Sequence, residues 1–183
     1  SMRWPRGEVA TTDAGFSFLA SWGSGRYNAA AQFVALVYLK HFSSADPEAE
    51  AAIRPWAVRQ MAYLLGDNPL GKSYVMGFSD RYALQPHPPA GHASTSGQPD
   101  DPPENRHVIW GALVNGPSDA SDNHVDLRSD YGANEVAIDY NAPLVAALAA
   151  HYSHQGAGQC PLSGFPPLEP PAGIGRHIRV VLR

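Results

Sequence analysis

The chain has 183 residues, long enough for one domain with a real core and short for two. Its formal charge of −4 and the lack of any basic run argue against nucleic acid, and no apolar run is long enough to span a bilayer. The single cysteine excludes an internal disulfide framework, while 17 glycines and 17 prolines imply long irregular connections that carry function.

The N-terminus, SMRWPRG, has no apolar signal core, and its Ser-Met start reads as a cloning scar on an extension covering residues 1–12. From residue 13 two apolar segments flank Gly23 and Gly25. In the second, Ala30, Phe33, Val34, Leu36 and Val37 recur at helical spacing, with Asn28 placed to cap the start. Phe16, Phe18 and Phe33 are assigned to the core. Asp46-Pro47 reads as a cap with a first-turn proline, and Pro55 forces a second start. The firm helix is then about 55–65, closed by Gly66, with Ala57, Met61 and Leu64 on its inner face.

Residues 73–78 are apolar and fit either a strand or a helical turn. Residues 86–103 hold six prolines without hydrophobic period, which predicts a long surface loop. Another apolar stretch, 108–114, ends in the turn Gly116-Pro117-Ser118-Asp119. Pro143 is tolerated only in a first turn, so Asn141 is the expected cap of a last helix over 142–152, preceded by a less regular lead-in at 131–140. His151 and His154 would then sit as favourable charges near its C-terminus. Residues 153–183, with five prolines between 161 and 171, read as a linker-like tail.

Four stretches, in order, resemble glycoside hydrolase family nine, the inverting cellulases. They are SWGSGRYNAA, LLGDNPLGKSYVMGFSDRYALQPH, ENRHVIWGALVNGP and DLRSDYGANEVAIDYNAPLVAALA. The resemblance covers residues 13–152 and only the C-terminal part of that family's catalytic module. It implies an all-α fold: the C-terminal half of a six-hairpin (α/α)6 barrel, with long Pro/Gly-rich loops. It also implies hydrolysis of β-1,4-glucan, a secreted protein and no cofactor. The partners it implies are a β-glucan polysaccharide or cello-oligosaccharide. A fragment of a closed barrel leaves apolar helix faces exposed, which predicts a homodimer or association with a missing N-terminal half.

Inversion needs a carboxylic acid to protonate the leaving oxygen and a second carboxylate to activate water. Glu135 aligns with the family's general acid; the alternative is a first-turn glutamate serving a helix dipole. An acid must hold its proton near working pH, which burial beside rings and the neighbouring Asp130 or Asp139 would favour. By the same resemblance Trp22, Arg26, Tyr27, His87 and Tyr140 line the sugar cleft, with a core role the alternative for Trp22 and Tyr140. Glu135 and Tyr140 would diverge in one regular helix, so their convergence needs the irregular lead-in.

Pro89 replaces the arginine of the family's His-x-Arg motif, which removes a forked donor beside His87. His124 stands where the family has an aromatic residue, and Asp126, Arg128 and Asp130 are expected to form a salt-bridge network under the acid. The family's base-bearing Asp-Ala-Gly-Asp segment has no match. Replacement bases to consider are Asp119, Asp122 and Asp126, or a carboxylate from a second subunit. No metal-ligand spacing is present. The competing readings are a noncatalytic glucan-binding half-module and a purely structural fragment.

Overall fold

A computed structural model describes residues 3–4, 7–42, 45–98 and 101–154. The linker-like tail falls outside the described residues, apart from its first two positions at a helix end. A two-stranded antiparallel ribbon, β1 (Arg3–Trp4) and β2 (Gly7–Glu8), precedes four helices: α1 (Ser24–Phe42), α2 (Pro47–Leu65), α3 (Tyr131–Asn134) and α4 (Ile138–His154). The chain is helical as expected, with the short ribbon an addition. Helix α1 packs against both α2 and α4. Between α2 and α3 the described backbone forms turns, bends and isolated bridges such as Val75 with Leu113. Residues 73–78 are thus neither a regular strand nor a helix, yet Tyr74, Val75 and Met76 are buried with Leu113, Val114 and α2's Met61 and Leu64. Each such aliphatic side chain contributes about 1.5–3 kcal/mol on burial.

Helix α1 begins earlier than Asn28 predicts and turns a different face inward. Asn28, Ala29, Gln32, Ala35, Leu36 and Leu39 are buried, at the helical spacing of one face. Phe33, assigned to the core, is 38% exposed, and Val34 is 61% exposed. The inner face is specified by hydrogen bonds rather than by bulk. Asn28 donates through Nδ2 to Gln60 Oε1 on α2 at 2.7 Å, and Gln32 Nε2 donates to Asn28 Oδ1 at 2.7 Å. His151 of α4 meets Gln32 Oε1 at 3.0 Å. His151 is therefore a buried partner in a polar seam joining three helices, not a solvated charge at a helix end. Breaking such a seam strands buried donors and acceptors, each costing about 1–3 kcal/mol.

Two prolines expected near helix starts lie inside helices. Asp46 does cap α2, its carboxylate accepting from Ala49 N at 2.9 Å, and Gly66 closes it with a φ of 126°. Yet the helix runs unbroken through Pro55. Ala51 and Pro55 both lie on its exposed side, so water can serve the carbonyl that proline leaves without an amide. Pro143 likewise sits inside α4, where the carbonyl released belongs to exposed Asp139. Asn141 is not the cap. Its side chain accepts from Leu113 N at 3.0 Å and donates to Gly111 O at 2.7 Å, tying α4 to the 111–113 segment.

The first turn of α1 approaches residues 115–116 backbone to backbone. A Cβ on Gly25 would stand 2.0 Å from Asn115 O, and one on Gly116 would stand 2.6 Å from Ser24 Oγ. Replacing Gly25 by alanine must push the α1 start away from this turn. The expected loss is about 2 kcal/mol or more, read as a lower urea midpoint with unchanged slope.

Under α3 lies a column of rings. Tyr63 OH donates to Asp122 Oδ1 at 2.6 Å, Tyr63 stacks on Tyr74, and Tyr74 meets the His124 ring edge-on at 5.1 Å. His124 Nε2 lies 3.1 Å from Ala133 O. Burial, with Lys72 adding to it, lowers the His124 pKa from 6.5 to about 4. The unfolded chain takes up this proton near pH 6.5 and the folded chain only near pH 4. The resulting stability is complete above the first value and is lost as pH falls through the second, by up to about 3 kcal/mol. Urea unfolding at pH 7 and pH 4.5 should show that loss, and His124→Phe should flatten the pH dependence even where its absolute stability is lower.

Candidate active site

Asn115, fully buried, joins the two segments that carry the candidate residues. Its Oδ1 accepts from Ser24 N at 2.8 Å, its carbonyl accepts from Gly25 N at 2.9 Å, and its Nδ2 donates to Ser21 O at 2.7 Å. These bonds satisfy two of the otherwise orphaned amides at the α1 start. The Asn115 amide donates in turn to Ala133 O at 3.2 Å, two residues before Glu135. Trp22 and Glu135, far apart in sequence, are thereby held against one turn.

The lead-in to α4 is irregular only in part: 131–134 form one helical turn, 135–137 interrupt it, and 138–140 already belong to α4. Asp130 caps the single turn of α3 by accepting from Ala133 N at 3.1 Å, and Glu135 then adopts an extended backbone, with φ −67° and ψ 136°. Asn134 is buried and donates through Nδ2 to Val125 O at 2.7 Å and Leu127 O at 3.0 Å, which fixes the backbone just before the acid. The break between α3 and α4 brings Glu135 and Tyr140 together: Tyr140 OH lies 3.4 Å from Glu135 Oε2.

Every candidate cleft residue joins one connected group. Trp22 Nε1 donates to Glu135 Oε2 at 2.9 Å. Arg26 pairs with Asp139, donates to Tyr27 OH at 3.1 Å, and lies over the rings of Tyr27 and Tyr140 with its guanidinium carbon 4.7 and 4.9 Å from their centroids. At such distances the ring faces attract the cation. Burial works to lower the Arg26 pKa, but the hydrogen bonds to Tyr27 and Asp139 outweigh it and raise it. Burial, reinforced by the charge of Glu135, pushes Tyr140 up to about 12, so its hydroxyl remains a donor. Trp22 and Tyr27 keep much of their ring surface open, while Tyr140 is buried. Tyr140 is thus a core ring, the alternative role, with its hydroxyl facing Glu135.

His87 reaches the same group through Tyr131, whose ring meets Trp22 edge-on at 5.4 Å and His87 at 6.0 Å. The His87 amide donates to Asn134 O at 2.7 Å, and its Nδ1 lies 2.8 Å from Arg128 O. A carbonyl accepts only, so the neutral ring carries its proton on Nδ1 and leaves Nε2 as an acceptor.

The candidate replacement bases are occupied elsewhere. Asp122 is buried and accepts from Tyr63 OH and from Ala14 N at 2.8 Å. Asp119 accepts from Ser121 N, Asn123 N and Asn123 Nδ2, bonds that lower its pKa. Asp126 accepts from Leu84 N and Gln85 N at 2.9 Å each and faces Lys72 at 3.6 Å. Asp126, Arg128 and Asp130, expected to form one network, each also hold a different part of the backbone. Asp126 holds residues 84–85, Asp130 caps α3, and buried Arg128 donates to Pro102 O, Pro103 O and Asn105 Oδ1.

Sequence reading alone passed over Asn115, Asn134, Tyr131 and Asp139. An asparagine between an apolar run and Gly116-Pro117 is the signal that Asn115 carried. Tyr131 and Asp139 were visible only as neighbours of Glu135.

A family model described as glycosyl hydrolase family 9 matches residues 1–148. Endoglucanase A of Bacillus pumilus is 44% identical over 161 residues, which is 88% of this chain and 24% of that protein. Endoglucanase B of Cellulomonas fimi is 42% identical over 175 residues, 96% of this chain and 16% of its own length. Among solved structures, endoglucanase CelQ from Clostridium thermocellum, complexed with cellobiose and cellotriose, superposes with a TM-score of 0.77 at 37% identity, covering 84% of this chain and 25% of that one. This chain thus spans a quarter or less of the length of these relatives. With a family model matching most of its residues and relatives above 40% identity along most of its length, the chain belongs to glycosyl hydrolase family 9.

Proposed function

We propose that the chain carries the general-acid side of a β-1,4-glucan hydrolase site, with Glu135 as the acid of an inverting reaction. The observation that carries this reading is convergence: Trp22, Arg26, Tyr27, His87 and Tyr140 all join the one group centred on Glu135, directly or through Tyr131. The open faces of Trp22, Tyr27 and Tyr131 suit the apolar faces of pyranose rings, and Arg26 and His87 offer groups for sugar hydroxyls. The substrate class, a cellulose-type glucan or its oligosaccharides, follows the family and agrees with the cello-oligosaccharides held by the CelQ relative.

The base belongs to a segment outside this chain, in the N-terminal portion of the module, because Asp119, Asp122 and Asp126 are each committed to backbone amides or a tyrosine. Helix α4 supports that reading. Ile138, Ala142, Val145, Ala149 and Tyr152 are all exposed and recur every three or four residues, forming an apolar stripe along one face. The relatives are about four times longer, so this stripe is the docking face for the remaining helical hairpins of an (α/α)6 barrel. Residues 13–152 form the C-terminal part of that module. The alternative occupant of the stripe is a second copy of the chain, which would give a homodimer. A secreted setting follows from a polysaccharide substrate.

Release of reducing ends from a soluble β-1,4-glucan by the chain combined with the N-terminal portion of a family 9 module tests the reading, with Glu135→Gln prepared identically. Loss of a general acid lowers turnover about 10²–10⁴-fold. Equal silence of both proteins, together with cello-oligosaccharide binding that survives the substitution, would favour the noncatalytic binding half-module. Val145→Glu should lower the sedimentation coefficient of any self-associated form, and an unchanged value would remove the stripe as the contact.

A further inference from the structure

Trp22 stands in the sequence as a stacking platform for sugar, but its indole N–H points at the acid. Both Trp22 Nε1, at 2.9 Å, and Tyr140 OH, at 3.4 Å, address the same atom, Glu135 Oε2. A carboxyl oxygen has two lone-pair directions, and two donors fill them. A proton on Oε2 would displace one of these donors, whereas Oε1 meets no such donor among the described residues.

We propose that Trp22 is a positioning residue for the acid: its N–H, with Tyr140 OH, makes Oε2 the spectator oxygen and places the transferable proton on Oε1. This rests on the reading of Glu135 as general acid. The step then balances as follows. The Oε1 proton passes to the glycosidic oxygen as the bond from that oxygen to the anomeric carbon breaks, its electron pair remaining on the oxygen. Water adds to the anomeric carbon and gives its proton to the base. Glu135 is left as a carboxylate whose charge is met at Oε2 by the two donors already in place. Hydrogen bonds to an ionised acceptor are roughly twice as strong as neutral ones, so both tighten as the proton leaves. The pair therefore favours the charge that develops on Glu135 and needs no rearrangement to do so.

The surroundings fix the indole for this task. Gly23 turns the chain at φ 77°, Ser21 O is held by Asn115, and the Tyr131 ring braces the indole edge-on. Roughly half of Trp22 is still exposed, so its face remains open to a sugar while its edge serves the acid.

The pairing can be read without turnover, from the indole N–H resonances of ¹⁵N-labelled chain across pH. The chain has four tryptophans, and loss of one signal in Trp22→Phe assigns it. The Trp22 signal should move with a single titration that Glu135→Gln abolishes, while Trp56, bonded to the uncharged Ser17 Oγ, serves as the control. A Trp22 signal that stays fixed, or that titrates unchanged in Glu135→Gln, overturns the proposal whether or not glucan is hydrolysed. A titrating indole upholds the pair even in a chain that hydrolyses nothing alone, whereas silence after the N-terminal portion of the module is added counts against the catalytic reading instead.

Where turnover is present, leaving-group dependence separates positioning from stacking. Trp22→Phe keeps a ring and loses the N–H. It should cut kcat about 10-fold or more on a β-1,4-glucan, yet only slightly on 2,4-dinitrophenyl β-cellobioside, whose phenol departs without a proton. Its pH–rate profile on glucan should also lose its alkaline limb at higher pH than the parent. Equal losses on both substrates, expressed in KM, would make Trp22 a platform only.

Discussion

The site depends on the buried Asn115. Its side chain and backbone receive the first amides of α1, hold the Ser21 carbonyl and reach the backbone before Glu135. A side-chain amide suits this place because it accepts at one end and donates at the other, so every partner is satisfied without a buried charge. Gly25 and Gly116 make the approach possible, since a Cβ at either would collide with the opposing segment. Backbone contact of this kind tolerates little displacement, and Trp22 Nε1 meets Glu135 Oε2 because the turn between them is fixed.

Carboxylates in this chain are divided between structure and chemistry. Asp46 and Asp130 cap helices, Asp119 closes a turn, Asp122 anchors Tyr63, and Asp126 gathers two backbone amides. Backbone and hydroxyl donors fix the orientation of these groups, which suits a cap or an anchor. Glu135 differs because its two donors crowd one oxygen and, among the described residues, none addresses the other. Asp139 balances Arg26, so the cation over Tyr140 does not pair with the acid itself.

The distribution of order along the chain explains what its sequence disclosed. The helix ends written by Asp46-Pro47 and Gly66 were legible because capping is local chemistry. The irregular stretch before α4 was legible too, although its cause is the Asp130-capped turn and the Asn134 clamp rather than Pro143. Pro55 and Pro143 misled because a proline's cost depends on which carbonyl it abandons, and in both cases that carbonyl lies on an exposed side. The inner face of α1 was hidden for a different reason. Hydropathy marks Phe33 and Val34, whereas Asn28 and Gln32 are buried through partners on α2 and α4 that no local pattern reveals. His151 was misplaced with them, since its partner Gln32 lies on another helix.

Among the cleft residues, motif order located the group but not its wiring. The resemblance named Trp22, Arg26, Tyr27, His87, Glu135 and Tyr140 by type, and type alone does not say that an indole edge faces a carboxylate. That distinction matters because most polar groups around Glu135 are already paired, with Arg26 Nε the exception. The cation has its counter-charge, the tyrosine its acceptor and the indole its acceptor. Little reorganisation remains when a substrate arrives, which is the condition for electrostatic stabilisation of a transition state. The proposed inverting reaction would need a second carboxylate roughly 6.5–9.5 Å from the first. The apolar stripe of α4 starts at Ile138, three residues from Glu135. On the proposal that a partner packs along that stripe, it would enter beside Glu135, and the contact that covered the helix would be the one to bring the base.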